Sequence, residues 1–157
     1  MDKIAVFVDV QNIYYTTRQS FGGQFDYHKL WQLISQQGDI VIANAYAIDR
    51  GDAGQIKFQN ALRNIGFDVK LKPYIQRCDG TAKGDWDVGI TIDVLEQAQL
   101  VDRVVLLSGD GDFSMLLDKL SQTYAVPTEV YGVSSLTANT LIESASLFHP
   151  IDMSLLK

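Results

Sequence analysis

The chain has 157 residues, of which 46% are apolar, and its formal net charge is −6, with a pI near 4.7. This length fits one domain, residues 1–157, with a sizeable core. The negative charge argues against a protein held on nucleic acid by bulk charge alone. Because no apolar stretch reaches about 18 residues, no transmembrane helix is predicted.

The first residues and the cysteine content both bear on the compartment in which the protein is expected. Residues 1–10 open directly into an apolar run, and they lack the long apolar region and small-residue cleavage site of a signal peptide. Cys78 is the only cysteine, so no intrachain disulfide can form. We therefore expect a cytoplasmic protein that does not associate with a membrane.

The first half of the chain alternates between apolar runs and helix-type periodicity. Residues 4–8, IAVFV, predict a strand buried on both faces. A helix follows from about Asn12, and a second helix is predicted over 27–37, capped by Asp26. Strand two is predicted over 40–48, a helix over 55–64 and strand three over 67–71.

The alternation continues after an irregular stretch at 73–84. A helix is predicted over 87–100, strand four over 103–107, a helix over 113–122, strand five over 128–133 and a last helix over 136–147. Strands separated by helices of this length indicate βαβ units, and hence an α/β fold with a parallel sheet and right-handed crossovers.

Acidic residues from distant parts of the chain fall where such a sheet would gather them. Asp9 ends strand one, Asp110 and Asp112 follow strand four in the text SGDGDF, and Asp87 opens a helix. In open α/β sheets, sites lie beyond the carboxyl ends of the strands. We therefore expect Asp9, Asp87, Asp110 and Asp112 to converge on one edge of the sheet.

A group of carboxylates favours a hard divalent cation. Carboxylates about 4–6 Å apart raise one another's pKa unless a cation joins them. With two histidines and one cysteine in the chain, oxygen ligands suit Mg²⁺ or Mn²⁺ rather than zinc. Such an ion can polarise a phosphodiester and activate a water, and Asn12 could hold a water or a substrate phosphate without adding charge.

The same residues have structural interpretations that the sequence leaves open. Asp9 and Asp112 stand where helix caps are favoured. Asp87 sits where a helix dipole favours an anion, and Asn12 suits a turn or a cap.

Three motifs look familiar as a set. In order, VFVDVQN, KGDWDVGITIDVL and VVLLSGDGDFSMLL resemble the motifs of the NYN family, in particular its LabA-like branch. The resemblance extends from residue 4 to about 133. It implies a three-layer α/β/α sandwich with a mainly parallel sheet, PIN-like and Rossmann-like, and metal-dependent cleavage of RNA by a cluster of acids.

Carried over motif by motif, the resemblance assigns roles to individual residues. It implies a catalytic set of Asp9, Asn12, Asp87, Asp110 and Asp112. Within that set, Mg²⁺ or Mn²⁺ would be held by Asp9, Asp87 and Asp110.

The acids around the start of the fourth predicted helix are harder to separate. The branch usually reads Lys-Gly-x-Asp, whereas one further residue intervenes here, so Asp85 competes with Asp87. The onward spacing to Asp93 favours Asp87. Asp93 lies about 240° round the helix from Asp87, so Asp85 and Asp93 are expected to support the site rather than to bind the metal.

A basic segment precedes this helix in an otherwise acidic chain. Lys70, Lys72, Arg77 and Lys83 fall within fourteen residues, with Tyr74 among them, a composition typical of contacts to phosphates and unpaired bases. The alternative is a solvated loop. We expect Lys83, Arg77 and Lys72, together with Ser108 of the strand-four motif, to bind substrate, whereas Tyr14, Tyr15 and Trp86 are more typical of packing residues.

Two functions of different classes fit these residues. One is a metal-dependent ribonuclease-type phosphodiesterase acting on single-stranded RNA, and the other is a catalytically silent RNA-binding or regulatory interaction module on the same scaffold. The full set of acids favours the enzyme. No GxxxxGK[ST] or GxGxxG motif is present, so no nucleotide cofactor is expected. Formation of a homo-oligomer stays open.

Overall fold

A computed structural model describes residues 1–73, 75–76, 82–83 and 86–157, and of residues 73, 75–76 and 82–83 it describes the backbone alone. Its centre is a six-stranded sheet in the order β3-β2-β1-β6-β7-β8, in which all neighbouring strands are parallel. A short antiparallel pair, β4 with β5, lies outside it. The strands are β1 (Lys3–Asp9), β2 (Asp39–Asp49), β3 (Asp68–Pro73), β4 (Ile75–Gln76), β5 (Ala82–Lys83), β6 (Arg103–Leu107), β7 (Thr128–Gly132) and β8 (Leu147–Pro150).

Helices cover both faces of the sheet. One core joins the sheet to α1, α2 and α3, and the other joins it to α4, α5 and α6. The predicted α/β/α sandwich with a parallel sheet is therefore confirmed. The helices are α1 (Val10–Phe21), α2 (Tyr27–Ser35), α3 (Ala53–Ile65), α4 (Asp87–Gln97), α5 (Ser114–Thr123) and α6 (Asn139–Ser144), with 3-10 turns at Ala98–Leu100, Gly111–Phe113, Ser134–Leu136 and Met153–Leu155.

Local sequence explains where the helices begin and end. Asp26 caps α2 by accepting hydrogen bonds from the backbone N–H groups of His28 and Lys29, both at 3.1 Å, as predicted from the preference of helix starts for Asp. Asp52 caps α3 in the same way. Gly22 ends α1 with φ of 66°, a left-handed conformation that glycine adopts without strain.

The strand order places the site. From β1 the chain moves outward through β2 to β3, and it then returns to β6 on the other side of β1. The order therefore reverses between β1 and β6, and such a switch point leaves a crevice beyond the carboxyl ends of the two strands. Asp9 ends β1, and Ser108 directly follows β6, so both lie at this crevice.

The prediction of the last helix was wrong in extent, and a strand was missed. The helix expected over 136–147 is confined to Asn139–Ser144, and Leu147–Pro150 forms β8 at the edge of the sheet. Ser146 explains the change, because its hydroxyl accepts a 3.0 Å hydrogen bond from the Thr128 N–H and its own N–H bonds the Thr128 hydroxyl. These bonds align the chain with β7. Within the described ranges, no helix is long and apolar enough to cross a bilayer.

Candidate metal centre

Three carboxylates meet at the crevice. Asp87, Asp110 and Asp112 each offer an oxygen, and these oxygens all lie within 4.8 Å of one another. Asp87 and Asp110 are half-buried, whereas Asp112 is exposed. The structure thus brings together three of the four acids that the sequence places at this edge. We call Asp87, Asp110 and Asp112 the acid cluster.

The loop after β6 holds two of these acids in place. Asp110 Oδ1 accepts a 2.9 Å hydrogen bond from the Asp112 N–H, and so caps the 3-10 turn that carries Asp112. The loop also presses against the segment after β7, where a Cβ at Gly109 would lie 2.7 Å from the Leu136 carbonyl oxygen and a Cβ at Gly111 2.9 Å from Ala138 Cβ. Glycine at both positions allows this close approach.

Asp9 lies beside the acid cluster but is not a member of it. It occupies the N-cap position of α1 without making a side-chain cap bond, and it is 8% exposed. Its Oδ2 accepts a 3.0 Å hydrogen bond from the Ser108 hydroxyl, which itself accepts a 3.1 Å hydrogen bond from the Asp110 N–H. Burial, and after it the charge of Asp9, raises the pKa of Tyr27.

Ser108 and Asn12 bind parts of the loop rather than facing outward. Ser108 is wholly buried, so the structure does not place its hydroxyl where a substrate contact was expected. Asn12 Oδ1 accepts a 2.8 Å hydrogen bond from the Gly109 N–H. This bond ties the first turn of α1 to the loop that carries the acid cluster.

Trp86 fixes the start of α4 and hence the position of Asp87. Its Nε1 donates a 2.8 Å hydrogen bond to the Ala47 carbonyl near the end of β2. The ring lies over the first turn of α4, since a Cβ at Gly89 would be only 2.5 Å from Trp86 Cε3. Trp86 is therefore the packing residue that the sequence indicates.

Asp93 takes part in a polar chain behind the site. The Tyr46 hydroxyl donates a 2.8 Å hydrogen bond to Asp93 Oδ2 and accepts one of 3.1 Å from Asn44 Nδ2. Burial is the largest cause that raises the pKa of Tyr46. Tyr46 and Asn44 were missed from the sequence, although polar side chains two residues apart in an apolar strand share one face and could have indicated a buried hydrogen bond.

The expected basic segment is described only in part. Lys72 places its Nζ 5.3 Å from the centroid of the Trp86 ring, and Lys70 forms a 3.2 Å ion pair with Asp68. Tyr74, Arg77 and Asp85 lie outside the described residues, as does the side chain of Lys83.

The model of the NYN domain matches residues 3–152 of this sequence. The chain belongs to the NYN domain family. As a relative it has the low amplitude and bright protein LabA of Synechococcus elongatus, with 29% identity over 126 residues that cover 75% of this chain and 67% of that protein. This relative supports the LabA-like branch that the motifs indicate.

A solved structure shares the fold of this NYN domain. It is the crystal structure of a protein of unknown function from Vibrio parahaemolyticus RIMD 2210633. The two match with a TM-score of 0.95 and 52% sequence identity over 99% of this chain and 96% of the other.

The acid cluster of this NYN domain fits a divalent cation. Its donors are carboxylate oxygens that lie within 4.8 Å of one another, which is the ligand type that Mg²⁺ and Mn²⁺ prefer. With one exposed and two half-buried acids, the group is in part accessible to solvent. NYN domains are in general ribonuclease-type nucleases, and this member has an acid cluster of the kind such an activity needs.

Proposed function

We propose that this NYN domain is a Mg²⁺- or Mn²⁺-dependent phosphodiesterase that cleaves single-stranded RNA. The observation that supports it is the position of the acid cluster at the switch point of the sheet, where α/β folds place their sites. We further propose that residues 1–157 act as one domain, since the six parallel strands of one sheet extend from residue 3 to residue 150.

Asp87, Asp110 and Asp112 would hold the cation. A divalent ion there would supply Lewis acidity toward a phosphodiester and promote ionisation of a water. Asp9, which accepts the hydrogen bond of the Ser108 hydroxyl, would keep the loop in place and add negative charge beside the ion. The sequence suggests in addition that Asp9 binds the metal directly. If it does, Asp9→Asn should lower the affinity for Mg²⁺.

The remaining residues would position the loop and the strand. Asn12 holds the Gly109 N–H, and Trp86 holds the first turn of α4, so that Asp110 and Asp87 approach from fixed directions. Lys72, whose Nζ lies over the Trp86 ring, would supply positive charge to the strand, and we propose the same for Arg77 and Lys83.

One observation supports the alternative of a catalytically silent RNA-binding or regulatory module. The Asp110 carboxylate caps a 3-10 turn, so this acid has a structural use that requires no metal. In that case the loop alone would hold the acid cluster in position. The exposed surface around the cluster would then bind a partner without turnover.

The test is cleavage of a labelled single-stranded RNA in Mg²⁺, in Mn²⁺ and in chelator. We expect cleavage by the parent in either metal, none in chelator and none by Asp110→Asn. Asp118→Asn, which removes a carboxylate of α5 outside the acid cluster, is the matched control and should cleave as the parent does. Cleavage that survives in Asp110→Asn would point to a contaminating nuclease, and binding without cleavage by the parent would favour the silent module.

A further inference from the structure

The exposed side of α1 carries two aromatic rings in contact with each other. Tyr14 is 45% exposed and Tyr15 is 50% exposed, although the sequence suggested packing roles for both. Their rings meet edge to face, with centroids 5.3 Å apart and an interplanar angle of 78°. Two exposed rings side by side offer aromatic surface for contact with another molecule.

Tyr15 is a neighbour of Asn12 on the surface of α1. Asn12, whose side chain contacts the loop of the acid cluster, is three residues earlier, which is about 60° round the helix and about 4.5 Å along its axis. Side chains on a helix lean toward its N-terminus, and α1 begins at the crevice, directly after Asp9. The Tyr15 side chain therefore leans toward the end of α1 that lies at the crevice.

A cation accompanies the rings. Arg18 Nη1 donates a 2.5 Å hydrogen bond to the Tyr14 hydroxyl, and Arg18 Cζ lies 5.8 Å from the centroid of the Tyr14 ring. Arg18 is exposed, and it is the one charged residue of α1, every residue of which is described. A ring pair with an adjacent guanidinium matches the base and phosphate of one nucleotide.

The charge of the helices around α1 also suits a polyanion. The bodies of α1, α2 and α3 contain four basic residues and no acidic residue, whereas α4, α5 and α6 contain five acidic residues and one basic residue. The layer that carries Tyr14 and Tyr15 is thus the less repulsive side for phosphates in a chain of net charge −6.

We infer that Tyr14 and Tyr15 form a stacking platform for unpaired bases of single-stranded RNA, with Arg18 on an adjacent phosphate, so that the strand crosses α1 on its way to the acid cluster. The inference rests on the proposed function in one respect, which is that the bound strand leads to the acid cluster. Base stacking on aromatic rings tolerates any sequence, because every base has a π face.

The test compares RNA affinities in an Asp110→Asn background, so that no strand is cut. Anisotropy of a labelled single-stranded RNA is measured with Tyr15→Leu, which keeps an apolar side chain, and with Tyr15→Phe, which keeps a ring. We expect Tyr15→Leu to weaken binding by about fivefold to a hundredfold and Tyr15→Phe to stay within about twofold of the parent. A 2-aminopurine in the RNA should be quenched on binding to the parent and to Tyr15→Phe, and less so with Tyr15→Leu.

The matched control is Tyr124→Leu. Tyr124 also has a cation beside its ring, Lys119 Nζ at 6.0 Å, but it follows the C-terminal end of α5, away from the crevice. Its loss should leave RNA affinity unchanged. Because Tyr15 is half exposed, its variants should fold, and thermal melts check this.

Three results would overturn the stacking platform: unchanged affinity of Tyr15→Leu, equal weakening by Tyr15→Phe and Tyr15→Leu, or the same weakening toward double-stranded RNA, whose bases are not open to stacking. Loss of self-association by Tyr15→Leu in sedimentation, with normal RNA affinity, would assign the rings to a protein contact instead. If the parent binds RNA through these rings but never cuts it, the proposed cleavage activity is contradicted and the stacking platform is supported. If the parent cuts RNA and the tyrosine variants bind it normally, the cleavage activity is supported and the stacking platform is contradicted.

Discussion

Ser108 donates a 3.0 Å hydrogen bond from its hydroxyl to the carboxylate of Asp9, which joins the end of β6 to the end of β1. The same hydroxyl accepts a hydrogen bond from the N–H of Asp110, so one buried side chain connects Asp9 with the backbone of an acid of the acid cluster. The geometry of the acid cluster therefore depends on a residue that is itself wholly buried.

Removal of this hydroxyl should lower both stability and metal response. Ser108→Ala leaves the Asp110 N–H without its acceptor and the buried Asp9 carboxylate with one donor fewer, so we expect a loss of about 1–3 kcal/mol in the free energy of unfolding and a smaller stabilisation by Mg²⁺. Urea unfolding with and without Mg²⁺ measures both. Ser121→Ala, at an exposed hydroxyl of α5, should change stability by less than about 0.5 kcal/mol. If Ser108 instead contacted the substrate, its loss would lower RNA affinity and leave stability unchanged.

Neutralising an acid of the cluster should help the metal-free protein. Three carboxylates within 4.8 Å repel one another without a cation, so Asp87→Asn should be as stable as the parent or more stable in chelator. Mg²⁺ should stabilise the parent by roughly 2–3 kcal/mol at about 100 times its dissociation constant, and should stabilise Asp87→Asn and Asp112→Asn much less. Thermal melts in chelator and then in Mg²⁺ give both quantities.

The control for these melts is Glu96→Gln, an exposed acid on the same helix as Asp87, which should keep the full Mg²⁺ shift. If Asp87 served only the helix dipole, its neutralisation would cost a few tenths to about 1 kcal/mol and leave the Mg²⁺ shift intact. That outcome would remove Asp87 from the metal centre.

Gly89→Ala should destabilise the start of α4, although alanine favours helices. The new Cβ would lie 2.5 Å from the Trp86 ring, so the ring must move and its bond to Ala47 must distort. We expect a loss of about 1–3 kcal/mol, as for overpacking elsewhere, together with weaker Mg²⁺ binding at Asp87. Gly54→Ala in the first turn of α3, where the nearest atom would lie 3.4 Å away, is the matched change and should be neutral or stabilising by up to about 1 kcal/mol. Equal effects of the two changes would contradict this account of Trp86.

Alkaline pH should unfold the protein through its buried tyrosines. Burial raises the pKa of Tyr131 to about 12, and burial also raises those of Tyr27 and Tyr46. Below about pH 10, the ordinary pKa of tyrosine, both folded and unfolded chains keep these protons. Between about pH 10 and 12 only the unfolded chain releases the Tyr131 proton, so the free energy of unfolding falls.

Urea unfolding at pH 9, 10 and 11 measures this loss. Tyr131→Phe should reduce the slope of stability against pH by up to one proton, which is about 1.4 kcal/mol per pH unit. Tyr15→Phe removes an exposed hydroxyl and serves as the control. A slope for Tyr131→Phe equal to that of the parent would show that Tyr131 ionises alike in both states.

Much of the fold follows from short-range patterns. The apolar runs of β1 and β6, the cap at Asp26 and the alternation of strands with helices predicted a parallel α/β sheet, because burial on both faces and helix capping are properties of local sequence. Asp9 and Asp110 each follow such an apolar run. Their location at the same edge then followed from the rule that a parallel sheet gathers the carboxyl ends of its strands at one edge. The three motifs indicated the NYN family by resemblance, and the match of the family model to residues 3–152 confirmed it.

The contacts between distant segments were decided by the tertiary structure. Ser108 and Asp9 are 99 residues apart, and their hydrogen bond depends on the packing of two strands, which no sequence periodicity encodes. The same holds for Glu129, which is buried between Arg103 and His149 with both contacts at 2.6 Å, and for β8, whose edge position depends on the bonds of Ser146 to Thr128. The sequence determined which residues reach the edge of the sheet, and packing of the loops decided which of them meet, because hydrogen bonds act over a shorter range than the spacing of secondary structure.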